Sequence, residues 1–211
     1  MSRTSAIVVA GGRGERFGSP KQFLAIGDTR LVDRAVTVAG AVCNEVIVVL
    51  PAGQAWDGPR VDQVVEGGDT RSASVRAGLA AVSSDADIVV VHDAARPLAS
   101  PELFELVIDS VRAGADAAIP ALEVTDTLKR VDGGLVLDTV PRDGLVAVQT
   151  PQAFRAECLR AAHASGDDAS DDAALVEAAG GKVVAVQGDP RNLKITSVAD
   201  LALATALLEG S

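Results

Sequence analysis

A chain of 211 residues, 48% hydrophobic, is long enough for one substantial core, and with Trp56 and four Phe as its only aromatics that core must be built from Val, Ala, Leu and Ile. Its 19 basic and 29 acidic side chains leave a net charge of -10, which repels nucleic-acid phosphates and anionic lipid surfaces at long range and argues against a nucleic-acid partner. Cys43 and Cys158 have no Cys or His at metal-ligand spacing and read as buried thiols of a reducing compartment. No run approaches the roughly 20 apolar residues of a membrane span, and Ala6–Ala10 is too short for a signal-peptide core, so a soluble, cytoplasmic protein is expected.

The first apolar run, Ala6–Ala10, predicts a buried strand, and Leu31–Ala41 has the periodicity of a helix. Strands follow at Val46–Leu50 and Val61–Val65, then a helix at Ser72–Val82, a strand at Ile88–Val91 and a helix at Pro101–Ala113 with Pro at its first position. Ala117–Pro120 predicts another strand, after which the rhythm breaks. Thr127–Arg130 and Leu135–Thr139, joined through Gly133 and Gly134, read as a hairpin arm at about 125–142. Helices at Ala156–Ala164 and Asp171–Ala179, a strand at Val183–Val186 and a helix at Val198–Leu208 complete the chain, with Gly166–Asp172 as a solvated loop and Ser170 as the cap of the helix after it. Continuous apolar strands imply cover on both faces. The expectation is therefore an α/β fold over residues 1–211 as one domain, a three-layer, mostly parallel Rossmann-like sheet with helices on both faces and a β-hairpin arm.

The chemistry concentrates in VVAGGRGERFGSPKQ, Val8 to Gln22. Gly11, Gly12 and Gly14 let backbone N–H groups approach an anion without an intervening Cβ, while Arg13, Arg16 and Lys21 supply charge. Residues 1–27 hold four cations against the single acid Glu15, a net +3 inside a chain of -10. The dinucleotide fingerprint G-x-G-x-x-G does not fit Gly12, Gly14 and Gly18, which leave one residue too many before the third glycine. The P-loop fails as well, because Lys21 follows Pro20 and precedes Gln22.

This stretch resembles the signature of the sugar-nucleotidyltransferase superfamily. GGDTRSASVRAGL (Gly67–Leu79), VVHDAARP (Val90–Pro97), DTLKR (Asp126–Arg130), VQTPQAF (Val148–Phe154) and NLKIT (Asn192–Thr196) narrow the resemblance to the 2-C-methyl-D-erythritol 4-phosphate cytidylyltransferase family, in order along nearly the whole chain. Two departures are Ala10, Gly11 and Gly12 where the family usually has Ala-Ala-Gly, and Ser170 where it usually has Thr before two acids.

The resemblance implies transfer of a cytidylyl group from CTP to methylerythritol phosphate with release of pyrophosphate. It implies that Arg16, Lys21 and Lys194 stabilise the reacting α-phosphorus, and that Ala10, Gly11, Gly12, Gly14, Gly68, Asp69 and Ser74 bind the nucleotide. Asp93, Arg96, Thr127, Arg142 and Thr150 would bind the acceptor, Asp93 being also a candidate ligand for Mg2+. The arm would interlock a homodimer, which suits a hairpin too small to be stable alone. His92 reads as a packed strand-end residue and His163 as a surface residue. Ribitol 5-phosphate cytidylyltransferase and a non-catalytic nucleotide-binding protein are the competing readings, the second opposed by the presence of Arg16, Lys21 and Lys194.

Overall fold

Alternation decides which face each strand residue serves. In the structure, a computed structural model that describes residues 2–11 and 21–210, the first strand β1 (Thr4–Val9) sends Ala6 and Val8 to one side of a sheet and Ile7 to the other. A small pair follows, β2 (Ala25–Ile26) with β3 (Thr29–Arg30), and then helix α1 (Leu31–Val42) leads to β4 (Glu45–Leu50) and β5 (Gln63–Glu66). Helix α2 (Arg71–Ala81), β6 (Ile88–Asp93), α3 (Pro101–Arg112) and β7 (Ala117–Glu123) continue the alternation of helix and strand. The remaining elements are β8 (Leu128–Asp132), β9 (Leu135–Val140), β10 (Val146–Val148), β11 (Gln152–Arg155), α4 (Ala156–Ala162), α5 (Asp172–Ala178), β12 (Val183–Gln187) and α6 (Val198–Glu209).

The main sheet runs β7, β11, β6, β1, β4, β5, with β12 on the far edge of β7. Contacts are parallel except those of β10 and β11, which lie one after the other along the same edge of β7 and run against it. Beneath one face, Val46, Val48, Val90 and Ala118 meet Val32, Val36, Phe104 and Val107 of α1 and α3. On the other, Ile47, Val49, Val91 and Phe154 meet Val75, Leu159 and Val176 of α2, α4 and α5. Three layers result, as expected.

Four local points need correction. The segment Gln152–Arg155 is an antiparallel strand inserted between β6 and β7, which its four residues are too few to announce by period. The strand expected at Val61–Val65 begins at Gln63, and the cap of α5 is Asp171, whose carboxylate accepts from the Ala174 N–H, rather than Ser170. Cys43 and Cys158 are only partly buried.

A third cluster matters for function because it fixes a loop. Ile26, Leu31 and Ala204 of α6 bury Ile195, and the Ile195 N–H donates to the Ala95 carbonyl at 2.8 Å. The arm, β8 with β9, pairs only with itself among the described residues. Its turn needs two left-handed residues, which Gly133 (φ 54°) and Gly134 (φ 85°) supply. Val131, Leu135, Val136 and Leu137 on it are exposed by 55–72%.

Candidate active site

Because β1 and β6 are parallel neighbours with Val9 opposite Asp93, their connecting loops emerge together at the carboxyl edge of the sheet, where open α/β sheets hold ligands. The Ala10 N–H donates to the Val49 carbonyl at 2.8 Å, and the Ala10 carbonyl accepts from Gln22 Nε2 at 2.7 Å. Behind this loop comes the first turn of α2. A Cβ on Gly68 would stand only 2.5 Å from the Ala73 Cβ, so that loop closes on α2 at a distance that requires glycine, and one on Gly11 would crowd Ser74 Oγ at 3.1 Å. Ser74 is buried, its hydroxyl within reach of the Thr70 carbonyl (3.0 Å) and the Gly68 carbonyl (3.3 Å), so it braces this wall. Asp69 lies exposed in the same loop.

Next to that wall sits a row of alternating charges. Asp93, at the end of β6, is 7% exposed; its Oδ2 accepts from Lys194 Nζ at 2.7 Å and its Oδ1 from Arg71 Nε at 3.2 Å. Arg71 reaches further, donating through Nη1 to Asp172 Oδ2 at 2.8 Å, and the other oxygen of Asp172 lies 3.1 Å from His163 Nε2. Burial alone would raise the Asp93 carboxyl, but the charges of Arg71 and Lys194 outweigh it and hold the group well below the usual carboxylate range. Burial likewise opposes the Arg71 charge, and Asp93 and Asp172 more than restore it.

The floor is neutral. His92 Nε2 meets the Arg96 carbonyl at 3.1 Å, and because a carbonyl can only accept, that nitrogen carries the proton. Nδ1 is then free to accept from the Thr150 hydroxyl 3.2 Å away, while Thr150 Oγ1 itself accepts from the Asp93 N–H at 3.0 Å. Burial pushes the imidazole down to about 4, so it stays neutral at physiological pH. Packing against Phe104 agrees with the expectation of a packed residue.

The expected site residues fall into three groups. Ala10, Gly11, Lys21, Gly68, Asp69, Ser74, Asp93 and Lys194 line or adjoin the carboxyl edge, and Lys21 Nζ donates to the Ile195 carbonyl at 2.7 Å, beside Lys194 in the chain. Arg96 and Thr150 are there too, with their polar atoms turned to the protein: Arg96 donates to the carbonyls of Asn192 (2.8 Å) and Val148 (3.3 Å), tying the Lys194 loop to β10. Burial lowers the Arg96 guanidinium from its ordinary value. Thr127 and Arg142 lie exposed on and below the arm, outside the charged row, with Arg142 Nη1 donating to the Thr125 carbonyl. Gly12, Gly14 and Arg16 lie outside the described residues.

The surface placement expected of His163 is wrong. It is 5% exposed, because its partner Asp172 lies nine residues on, across a turn rather than along a helix. Arg71 and Asp172 had no role in the sequence reading. A signal existed: Asp172 shares a helix face with the buried Leu175 and Val176, and Arg71 with Ser74 and Val75, so each charge points inward and needs a partner.

The described residues do not fit a protein-held divalent cation. Both oxygens of Asp93 are already ion-paired, and among the described residues no group of three Asp, Glu, His or Cys side chains could hold one.

Glycine-tight loops beside paired cations at the carboxyl edge of a parallel sheet define an α/β enzyme that handles phosphorylated nucleotides. Residues 4–210 match the family model described as 2-C-methyl-D-erythritol 4-phosphate cytidylyltransferase, and the chain belongs to that family. A relative of that name from Rhodococcus jostii is 47% identical over 215 residues, covering 97% of this chain and 94% of its own. One from Deinococcus radiodurans is 42% identical over 97% of this chain and 89% of its own. The crystal structure of the Thermus thermophilus protein of the same name superposes with a TM-score of 0.85 at 38% identity, covering 96% of this chain and 98% of that one.

Proposed function

We infer that the chain transfers a cytidylyl group from CTP to 2-C-methyl-D-erythritol 4-phosphate, giving 4-diphosphocytidyl-2-C-methyl-D-erythritol and pyrophosphate on the non-mevalonate route to isoprenoid precursors. The observation that carries this is 47% identity to a relative of that name across nearly the full length of both chains. An oxygen of the acceptor phosphate forms the new bond to the α-phosphorus, the bond to the bridging oxygen of the β-phosphate breaks, and pyrophosphate leaves with that electron pair. The attacking phosphate is already ionised, so the step needs positioning and charge neutralisation rather than a base.

Lys194 supplies charge from beside Asp93, and Lys21 and Arg16 from the glycine loop, with backbone amides at Gly11, Gly12 and Gly14. Ala10, Gly68, Asp69 and Ser74 shape the nucleotide side, and Asp93, held by Arg71, faces the polyol. Mg2+ belongs in this scheme as part of the substrate, carried on the triphosphate. Thr127 and Arg142 serve the acceptor through a homodimer, a reading supported by an arm whose apolar side chains stand in solvent in the single chain. No helix among the described residues is long and apolar enough to cross a membrane, and a cytoplasmic setting suits a reaction that consumes CTP.

Pyrophosphate release by the purified protein tests this, with CTP, UTP, ATP and GTP each offered with methylerythritol phosphate and with ribitol 5-phosphate. CTP with methylerythritol phosphate is expected to be fastest; faster turnover with ribitol phosphate overturns the acceptor.

A further inference from the structure

Five charged or titratable side chains stand in one row, Lys194, Asp93, Arg71, Asp172 and His163; only the first two face the substrates in the proposed reaction, and Asp172 and His163 have no part in it. The inner part is the unusual part. Asp172 is 0% exposed, yet both of its oxygens are engaged, one by Arg71 Nη1 at 2.8 Å and the other by His163 Nε2 at 3.1 Å. Replacing a buried ion pair by apolar side chains of similar volume is often neutral or stabilising, so the fold alone gives little reason to bury a carboxylate and a guanidinium here. The surroundings are apolar: Ala173, Leu175 and Val176 of the same helix join the core.

Geometry supplies the reason. A guanidinium is a rigid planar fork, so fixing one arm fixes the direction of the others. Asp172 holds Nη1 of Arg71, and this aims Nε at Asp93 Oδ1; Lys194, the one partly exposed member of the pair, takes Oδ2. We propose that Asp172 is a positioning residue for the transfer reaction, acting through Arg71 to hold the Asp93 carboxylate in place so that Lys194 can turn to a substrate phosphate without Asp93 moving. His163 braces the far oxygen of Asp172. The role rests on the cytidylyl-transfer reading for its substrates but not on the identity of the acceptor.

A double-mutant cycle tests it. Asp172→Asn keeps the shape and an acceptor but removes the charge, and it should lower kcat on the order of 10²-fold, as a misplacement of about 1 Å does. If Asp172 acts through Asp93, the double variant D93N/D172N will be no slower than D93N alone; residues that act independently lose activity additively. Arg71→Lys, which keeps the charge but can reach only one of the two carboxylates, should behave like D172N and carries the test should D172N fold poorly. Turnover of D172N and R71K near the wild-type value, or additive losses in the cycle, overturns the proposal. The wild type is assayed first with both acceptors; failure with methylerythritol phosphate refutes the acceptor, and the cycle is then read with the acceptor that is turned over.

Discussion

Replacing Lys194 by Ala separates what the charged row does for folding from what it does for chemistry. Its ammonium lies 2.7 Å from Asp93 Oδ2, and at an effective dielectric of about 20 two unit charges roughly 4 Å apart attract by ~4 kcal/mol. The Lys194 side chain is 42% exposed, so solvent screening leaves on the order of 1 kcal/mol, and water can occupy the place the ammonium vacates while Arg71 still holds Asp93. A loss of about 1 kcal/mol moves the thermal midpoint of a chain this size by only about 2–4 °C. Charge aimed at a centre that gains negative charge in the transition state is worth far more, roughly 10²–10³ in kcat for a single donor. The variant should therefore unfold close to the wild-type temperature and turn over at least about 10²-fold more slowly. Calorimetry and a coupled pyrophosphate assay on one preparation read both. A kcat within roughly threefold of wild type would sink the assignment, and so would a loss of activity matched by a fall of the midpoint beyond about 10 °C.

Burial places the His92 imidazole at about 4 when folded against 6.5 when free, so the unfolded chain binds the extra proton first and stability present above pH 6.5 drains away as the pH falls toward 4. At ~1.4 kcal/mol per pH unit this amounts to about 3 kcal/mol, and His92→Gln should flatten that part of a denaturant-midpoint profile. Asp93 does not confuse the reading, because a carboxyl held below its ordinary range loses its contribution only as the pH falls below about 4. Gly68→Ala brings a methyl to 2.5 Å from the Ala73 Cβ, which must push the loop off α2; KM for CTP should rise about tenfold with little change in that for the acceptor, and an unchanged KM for CTP would take Gly68 out of the nucleotide wall. Deleting Val131–Leu137 should give monomers by light scattering and raise KM for methylerythritol phosphate far more than KM for CTP; a variant that remains dimeric, or equal changes in both, would refute the arm's assignment.

The layers were legible because β1, β4 and β6 are uninterrupted apolar runs, and such runs can only be covered on both faces. Strand β11 was not: four residues after Pro151 carry no usable period, and what makes them a strand is a vacant edge on both β6 and β7. Among site residues, Lys194 could be found only through the NLKIT motif, since a lysine between Leu193 and Ile195 looks like any surface lysine. Thr150 shows the opposite limit. Its motif drew attention to it, yet its hydroxyl is taken up between the Asp93 N–H and His92, a pairing across 57 residues that no local pattern encodes. The helix faces of Arg71 and Asp172 showed that each charge turns inward, but that the two pair across 101 residues is likewise beyond any local pattern.

That long-range pairing is also what lets an acidic chain do this chemistry. With a net charge of -10 the protein as a whole repels CTP and a sugar phosphate alike, so attraction must be local, and local cations packed against a sheet edge repel one another unless carboxylates stand between them. The row Lys194, Asp93, Arg71, Asp172 meets both needs, because each cation lies against a carboxylate and each carboxylate against a cation. Exposure then sorts the roles. Asp172 is sealed in, Arg71 is mostly covered, and Lys194 alone keeps substantial contact with solvent, so it is the member that can exchange its carboxylate for a phosphate. An exchange of one anion for another leaves the local charge count on the lysine unchanged, and the carboxylate left behind keeps Arg71 as its partner. The buried end of the row thereby allows the exposed end to move.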